Sequence, residues 1–278
     1  MTELRGIGVG KGIVLGKLHV WRRGRTPERE LGTGNPERER QRFQDACAQA
    51  GQELEALEQR TRESLGEEEA QVFFGHRMLL EDPLFAEMAG EILEKERTSA
   101  AWAAHQAGEQ LAGQLEALEE AEWVARAADL RDVADRVVGI LQHRQRQPLP
   151  EEPCILAAED LTPSETAQMD ASRILGMAVS QGSLHCHTAI LARSRNLPAV
   201  VALEAKPTAE WEGCPAALDA GRGLLILNPT REQLEELEQR PLCKEFQIYL
   251  VLRIILYLMK LKLLALLAFR RNLGIFVT

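Results

Sequence analysis

The sequence predicts an α/β domain that is interrupted by an all-α helical bundle. The first 20 residues are rich in glycine and β-branched residues, which is typical of short strands joined by tight turns. Residues 153–228 alternate short apolar strands with short helices, whereas residues 33–142 carry helix-start signals and almost no strand signal. We therefore expect the two strand-containing segments to share one sheet, with the helical segment inserted between them.

Composition and charge limit the classes of function. The chain has 278 residues, 45% of them hydrophobic, which is enough for about two domains. Residues 242–278 hold six Lys or Arg and one Glu, so the net charge of −9 for the whole chain leaves −14 on residues 1–241. An acidic body argues against nucleic acid as a ligand and is compatible with a basic protein partner.

Cysteine usage and the N-terminus predict a cytoplasmic protein. The five cysteines are odd in number, widely spaced and without a C-x-x-C pair, which favours a reducing compartment over a disulfide framework. The start "MTELRGIGVG" has no basic segment followed by an apolar run, so no secretory signal is predicted.

The glycines near the N-terminus do not form a phosphate-binding motif. Their spacing matches neither a Walker motif nor G-x-G-x-x-G, and we expect them to serve the geometry of strands and tight turns.

The helical segment has three clear helix starts. Asn35-Pro36, Asp82-Pro83 and Thr98 supply N-cap and first-turn residues. The last helix carries an apolar stripe at three- and four-residue spacing, which predicts a core-facing side. The stripe contains Trp123, Val124, Ala127, Leu130, Val133, Ala134, Val137, Val138 and Leu141.

The segment that carries candidate chemistry is "RILGMAVSQGSLHCHTAILARSRN", residues 173–196. "RILGMAVS" predicts a buried strand, "QGSLHC" a turn and "HTAILARSRN" a helix, so His187 would lie in the first helical turn. Upstream, Thr162-Pro163-Ser164-Glu165 has the spacing of a capping box and predicts a short helix.

A histidine at a helix N-terminus suits phosphoryl transfer. The unpaired N–H groups and the helix dipole favour a neutral imidazole and a nearby anion, so the ring can act as nucleophile and the phosphate finds donors. Three other interpretations remain open on the residues alone. His187 could be an ordinary surface residue, Cys186 could be a redox thiol, or His185, Cys186 and His187 could bind zinc, although three adjacent positions cannot close a tetrahedral site.

The stretch "GSLHCHTAILARSRNLPAVV" resembles the phosphohistidine motif of enzyme I of the phosphoenolpyruvate-dependent sugar phosphotransferase system, which pyruvate phosphate dikinase also uses. Further similar stretches are "GHRMLLEDPLFAEMAGEIL", "ARAADLRDVADRVVGIL", "AAEDLTPSETAQM" and "ALDAGRGLLILNPT". Together they cover roughly residues 5–238, the N-terminal half of that family.

The resemblance implies an α/β phosphohistidine domain of the swivelling type over residues 1–32 and 146–230. A helical domain over 33–145 would bind the histidine phosphocarrier protein HPr, and 231–241 would begin a linker helix. It implies that His187 carries the phosphoryl group and that Thr166 places a hydroxyl near the imidazole. Met78, Leu80, Glu81 and Arg126 would contact HPr.

The histidine motif of this chain differs from the usual family pattern at two pairs of residues. Gly182-Ser183 and His185-Cys186 stand where the family usually has Gly-Gly and Thr-Ser, so the phosphate environment is expected to differ. If these changes spoil the site, the chain would be a non-catalytic HPr-docking module. A dikinase-like phosphohistidine domain is a further alternative, which the enzyme I-type helical insert argues against.

The C-terminal segment, residues 242–278, is apolar and basic and does not resemble the donor-binding barrel of the family. In the family that barrel binds phosphoenolpyruvate with Mg²⁺. We therefore expect no cofactor or metal on this chain, and no loading from phosphoenolpyruvate by the chain alone. Arg253, Lys260 and Lys262 interrupt the apolar run, so a spanning helix is not predicted. An amphipathic helix on anionic lipid is an alternative, because Arg253, Lys260 and Arg271 fall near one face, but Lys262 faces the opposite side and membrane contact is not expected. A truncated or frame-shifted product would account for the abrupt change in composition.

Overall fold

The computed structural model of the chain describes residues 2–238, apart from 23, 25, 31, 33, 145, 146, 168 and 185. It contains a helical bundle and an α/β domain, as predicted. The bundle helices are α1 (Pro36–Ser64), α2 (Glu67–Glu81), α3 (Pro83–Glu96), α4 (Ala100–Glu116) and α5 (Ala121–Leu141). The remaining helices are α6 (Pro163–Thr166), α7 (His187–Ser194) and α8 (Arg231–Glu238). The strands are β1 (Thr2–Arg5), β2 (Ile7–Val9), β3 (Ile13–Val20), β4 (Cys154–Ala158), β5 (Ile174–Val179), β6 (Ala199–Val201), β7 (Pro215–Asp219) and β8 (Leu224–Leu227).

The bundle helices begin where the sequence places polar caps. The side chain of Asn35 accepts hydrogen bonds from the N–H groups of the first turn of α1, and Asp82 accepts from Leu84 N at 2.9 Å in α3. The cap of α4 is Ser99, one residue after the predicted Thr98, whose buried hydroxyl instead donates to Glu30 O. These contacts satisfy N–H groups that the helices cannot pair internally.

The apolar stripe of α5 packs into the bundle only in part. Seven of its members, from Ala127 to Leu141, are 0 to 8% exposed. The prediction was wrong for Trp123 and Val124, which are 40% and 45% exposed. They lie in the first turn of α5, where the helix extends past the apolar side chains that cover its later turns.

The sheet is mixed and has strand order β1-β8-β7-β3-β4-β5-β6-β2. Strands β3, β4, β5 and β6 pair in parallel, and the other pairs are antiparallel. The two end strands, β1 and β2, are consecutive in the chain, so the sheet must curl until its ends meet at Gly6. This position needs glycine because a Cβ there would lie 2.6 Å from Val201 O.

The central strand β4 is buried on both faces of the sheet. Ile155 and Ala157 join one apolar cluster, and Leu156 and Ala158 join another, which also receives Ala189 and Leu191 of α7. Coverage of both faces is usual for parallel strands and explains the continuous apolar sequence "CILAA". It also fixes α7 against the sheet beside the ends of β4 and β5.

Among the residues described, no helix has the length and apolar character needed to cross a membrane. The linker residues 239–241 and the tail 242–278, on which several predictions fall, lie outside the described residues.

Candidate functional site

The site is centred on His187, the first residue of α7. Strand β5 ends at Val179, and the chain then turns through Gly182, whose φ of +103° is a conformation that L side chains rarely adopt. Cys186 N donates to Ser183 O at 3.2 Å and Cys186 is the N-cap, without a side-chain cap bond. The predicted order of strand, turn and helix is confirmed, and it places His187 in the first helical turn, whose N–H groups have no partner within the helix.

Thr166 holds the ring of His187 in place. The Oγ1 atom of Thr166 lies 2.9 Å from Nε2 of His187, and it also lies 3.1 Å from the carbonyl oxygens of Thr162 and Pro163. Because those carbonyls can only accept, the hydroxyl donates its single hydrogen there and accepts from the Nε2–H of the ring. This arrangement assigns the ring proton to Nε2 and leaves the lone pair on Nδ1.

The capping box predicted for α6 is the reason that Thr166 can reach His187. Glu165 N donates to the hydroxyl of Thr162 at 3.2 Å, and Thr162 N donates to the carboxylate of Glu165 at 2.8 Å. Trp21 Nε1 also donates to Glu165, which ties α6 to the residue that follows β3. One helical turn is thus fixed from several sides, with the 2% exposed Thr166 at its end.

The surroundings of His187 favour a neutral ring. Burial lowers the pKa of His187 below its usual range, and burial is the largest cause of this shift. The negative charges of Asp132, Asp160 and Asp129 act in the opposite direction, and His76 adds to the lowering. A neutral imidazole has the free lone pair that a nucleophile requires.

Three of these neighbours, His76, Asp129 and Asp132, come from the helical bundle, and sequence reasoning missed them. His76 of α2 is fully buried, with Nε2 3.3 Å from Asp129 Oδ1 and Nδ1 3.6 Å from Asp132 Oδ2. Asp132 also accepts a hydrogen bond from Ser164 N of α6 at 3.3 Å. His76 and the two aspartates occur in stretches that resemble the family, but nothing in their local pattern indicates a meeting with α6.

The four residues predicted to contact a partner divide into exposed and buried sets. Met78 is 56% exposed and Glu81 is also exposed, both on α2. The guanidinium of Arg126 lies over the same helix, because a Cβ at Gly75 would be 3.2 Å from its Nη1 atom. Leu80 is only 7% exposed and packs in the bundle core, so the structure does not present it to a partner.

The exposed face of α2 carries an aromatic side chain that sequence reasoning overlooked. Phe74 is 49% exposed and lies one turn before Met78, with the Arg77 guanidinium 5.9 Å from its ring centroid. We call Phe74, Met78, Glu81 and Arg126 the α2 face. Arg126 lies 3.7 Å from Asp129, one of the charges acting on His187, so the α2 face adjoins the surroundings of that histidine.

Two family models match the chain over most of its described length. The family model described as "PEP-utilising enzyme, N-terminal" matches residues 5–126. The model described as "PEP-utilising enzyme, mobile domain" matches residues 150–223. The second match contains α6 and α7 together with strands β4, β5, β6 and β7.

The chain is also similar to curated bacterial proteins and to solved structures. It is 36% identical over 238 residues to a multiphosphoryl transfer protein of Xanthomonas campestris, covering 83% of this chain and 28% of that protein. It is 31% identical over 242 residues to the phosphoenolpyruvate-protein phosphotransferase of Bacillus subtilis, covering 86% of this chain and 42% of that protein. The chain thus spans less than half the length of these relatives.

The solved structures match along nearly their whole length. The solution structure of the Enzyme I protein nEIt is 31% identical to this chain and has a TM-score of 0.66. The match covers 84% of this chain and 96% of the nEIt chain. The structure titled N-terminal domain of Enzyme 1 - Nitrogen shares the fold, with 23% identity and a TM-score of 0.58. That match covers 85% of this chain and 98% of the other chain. Together with the two family models, these similarities show that the chain belongs to the phosphoenolpyruvate-protein phosphotransferase (Enzyme I) family, whose N-terminal part it matches.

Proposed function

We propose that this chain is the phosphoryl-carrier part of a phosphoenolpyruvate-protein phosphotransferase, and that it exchanges a phosphoryl group between His187 and the phosphocarrier protein HPr. The observation that carries the proposal is the state of His187. It is a partly buried imidazole at the N-terminus of α7, held by a threonine hydroxyl, and burial lowers its pKa and so favours the neutral ring.

The proposed transfer uses one ring nitrogen of His187. Its lone pair forms the new P–N bond as the bond between phosphorus and a histidine of the donor HPr breaks, and the reverse step restores both rings. If Nε2 is the acceptor, the ring must first change tautomer, with the Nε2 proton passing to solvent and Nδ1 taking one up. The ring must also turn away from Thr166, because the hydroxyl at 2.9 Å occupies the space in front of Nε2. The unpaired N–H groups in the first turn of α7, where His187 lies, would stabilise the anionic phosphate.

The α2 face is the proposed HPr contact. It combines exposed apolar side chains, Phe74 and Met78, with the charges of Glu81 and Arg126. The net charge of −14 on residues 1–241 would favour a basic partner face. Leu80 has no place in this contact because it is buried.

A cytoplasmic setting is part of the proposal. Cys47, Cys154, Cys186 and Cys214 are all free thiols in the described part of the chain, in keeping with a reducing compartment. His185, whose effect on the phosphate is an open prediction, lies outside the described residues.

Phosphate incorporation tests the proposal. The full chain is offered ³²P-phosphorylated HPr in one tube and ³²P-phosphoenolpyruvate with Mg²⁺ in another, each beside His187→Ala. We expect acid-labile label from phosphorylated HPr and none in His187→Ala, with HPr binding retained by that variant. Label from phosphoenolpyruvate would contradict the expectation that the chain does not load itself. HPr binding without any label would support a docking module and refute the carrier role.

A further inference from the structure

The contact between the two domains at α5 and α6 involves a buried carboxylate. Asp132 lies on α5 of the bundle and is 8% exposed, and its Oδ2 atom accepts the hydrogen bond from the N–H of Ser164 at 3.3 Å. Ser164 is the second residue of α6, so its N–H has no partner within the helix. Asp132 therefore supplies, from the other domain, a contact that α6 cannot make by itself.

Helix α6 connects this contact to the reactive ring. It is a single turn, Pro163–Thr166, which has no independent stability and depends on outside contacts. Ser164 and Thr166 belong to that one turn, and Thr166 Oγ1 meets His187 Nε2 at 2.9 Å. Trp21 anchors the same turn from the α/β side through Glu165, and Asp132 anchors it from the bundle. A shift of either anchor would move the hydroxyl relative to the imidazole.

His76 packs beside this carboxylate within the bundle. An isolated buried carboxylate is costly, and it needs hydrogen bonds or an opposite charge nearby. The fully buried imidazole of His76 lies between two carboxylates, 3.6 Å from Asp132 and 3.3 Å from Asp129. It forms an edge contact with Phe73, at 6.0 Å between ring centroids, which fixes the plane of the ring within the bundle.

We propose that Asp132, braced by His76, is a positioning residue through which the helical bundle holds α6 and thereby sets the orientation and the charge environment of His187. The inference rests on the proposed role of His187 as phosphoryl carrier. It assigns to the bundle a direct part in preparing the histidine, in addition to binding a partner. Among the residues that the structure describes, Asp132 makes no hydrogen bond to the His187 ring, and it acts through Ser164, Thr166 and its charge.

Histidine NMR on the full-length chain tests the proposal without requiring phosphotransfer. The ¹H–¹⁵N spectrum of the imidazoles gives the tautomer ratio of His187, and a pH titration gives its pKa. Asp132→Asn keeps an oxygen that can accept from Ser164 but removes the charge, whereas Asp132→Ala removes both. Asp135→Asn, on the next turn of α5 and 50% exposed, is the matched control.

The pKa of His187 is expected to change in opposite directions when Asp132 and His76 are replaced. Asp132 raises the pKa of His187 and His76 lowers it, while Asp129 and Asp160 remain unchanged around the ring. We therefore expect Asp132→Asn to lower the pKa of His187 and His76→Gln to raise it, with Asp135→Asn close to wild type. We expect Asp132→Ala also to change the tautomer ratio of His187, by less than the roughly fivefold change that corresponds to losing one net hydrogen bond to the ring itself.

Two results separate this proposal from the function on which it rests. Unchanged His187 pKa and tautomer ratio in folded Asp132→Ala and Asp132→Asn, even with lower stability, would overturn the positioning role and show a structural one. Failure of the wild type to accept phosphate from phosphorylated HPr would overturn the carrier function, while the NMR result would still decide the positioning role. Slower transfer in Asp132→Asn with an unchanged Kd for HPr would support both.

Discussion

Replacing Phe74 with Ala should weaken HPr binding if the α2 face is the docking surface. Phe74 is 49% exposed, and a phenylalanine side chain buries about 150–250 Å² when it is fully covered, so roughly 100 Å² is open to a partner. Covering that area at about 25 cal/mol per Å² corresponds to about 2.5 kcal/mol. Because association also has ordering costs, we expect the Kd to rise by roughly tenfold to sixtyfold.

Isothermal titration calorimetry with HPr measures this change directly. Met78→Ala, one turn further along α2, should act in the same direction, since that side chain is 56% exposed. Leu15→Ala is the matched control, because Leu15 is similarly exposed, at 42%, but lies on β3 of the α/β domain. Circular dichroism should show unchanged helix content in all three variants. A Kd within twofold of wild type for both Phe74→Ala and Met78→Ala would refute the α2 face as the docking surface.

Three further predictions follow from the packing and the titration of the site. Thr166→Val should remove the hydrogen bond to His187 Nε2 and shift the tautomer ratio in ¹⁵N NMR by about fivefold, whereas an unchanged ratio would mean that the hydroxyl does not orient the ring. Since the pKa of His187 is lowered by folding, the unfolded chain binds the extra proton as the pH falls below about 6.5. The unfolding free energy of the wild type should therefore fall relative to His187→Gln in that acidic range and not above pH 7.5, which denaturant titrations at several pH values can check. Gly108→Ala should destabilise the bundle by about 1–3 kcal/mol, because the added Cβ would lie 2.4 Å from the Cβ of Ala134. Gly113→Ala on the same helix is the control, because its Cβ meets nothing within 4 Å and the change should raise the Tm. Equal effects of the two changes on the Tm would contradict the close packing of α4 against α5.

Local sequence determined the elements and their ends. Asn35, Asp82 and the Thr162–Glu165 box act through hydrogen bonds within two or three residues, so their effect can be predicted without the fold. The turn before His187 and the start of α7 were predictable for the same reason. The choice of His187 as the reactive histidine required the resemblance to a family, since a histidine at a helix start is by itself uninformative.

Burial on the bundle surface was decided by tertiary packing. Met78 and Leu80 are both apolar residues of α2 and only two positions apart, yet one is 56% exposed and the other 7%. Two positions along a helix correspond to nearly opposite sides of it, and the packing of the bundle decides which side of α2 is covered. The same holds for Trp123 and Val124, which continue the periodicity of α5 beyond the region that other helices cover.

The contacts around His187 also could not be predicted from the sequence. His76 and Asp132 are 56 positions apart and belong to different helices from α6, so only the packing of α2, α5 and α6 brings them together. A carboxylate on a helix is ordinarily solvated, and periodicity alone cannot distinguish it from one that accepts a buried N–H. The sequence determined which residues could carry phosphate chemistry, and the tertiary structure decided which charges act on them, because charge effects depend on distance through space and on burial.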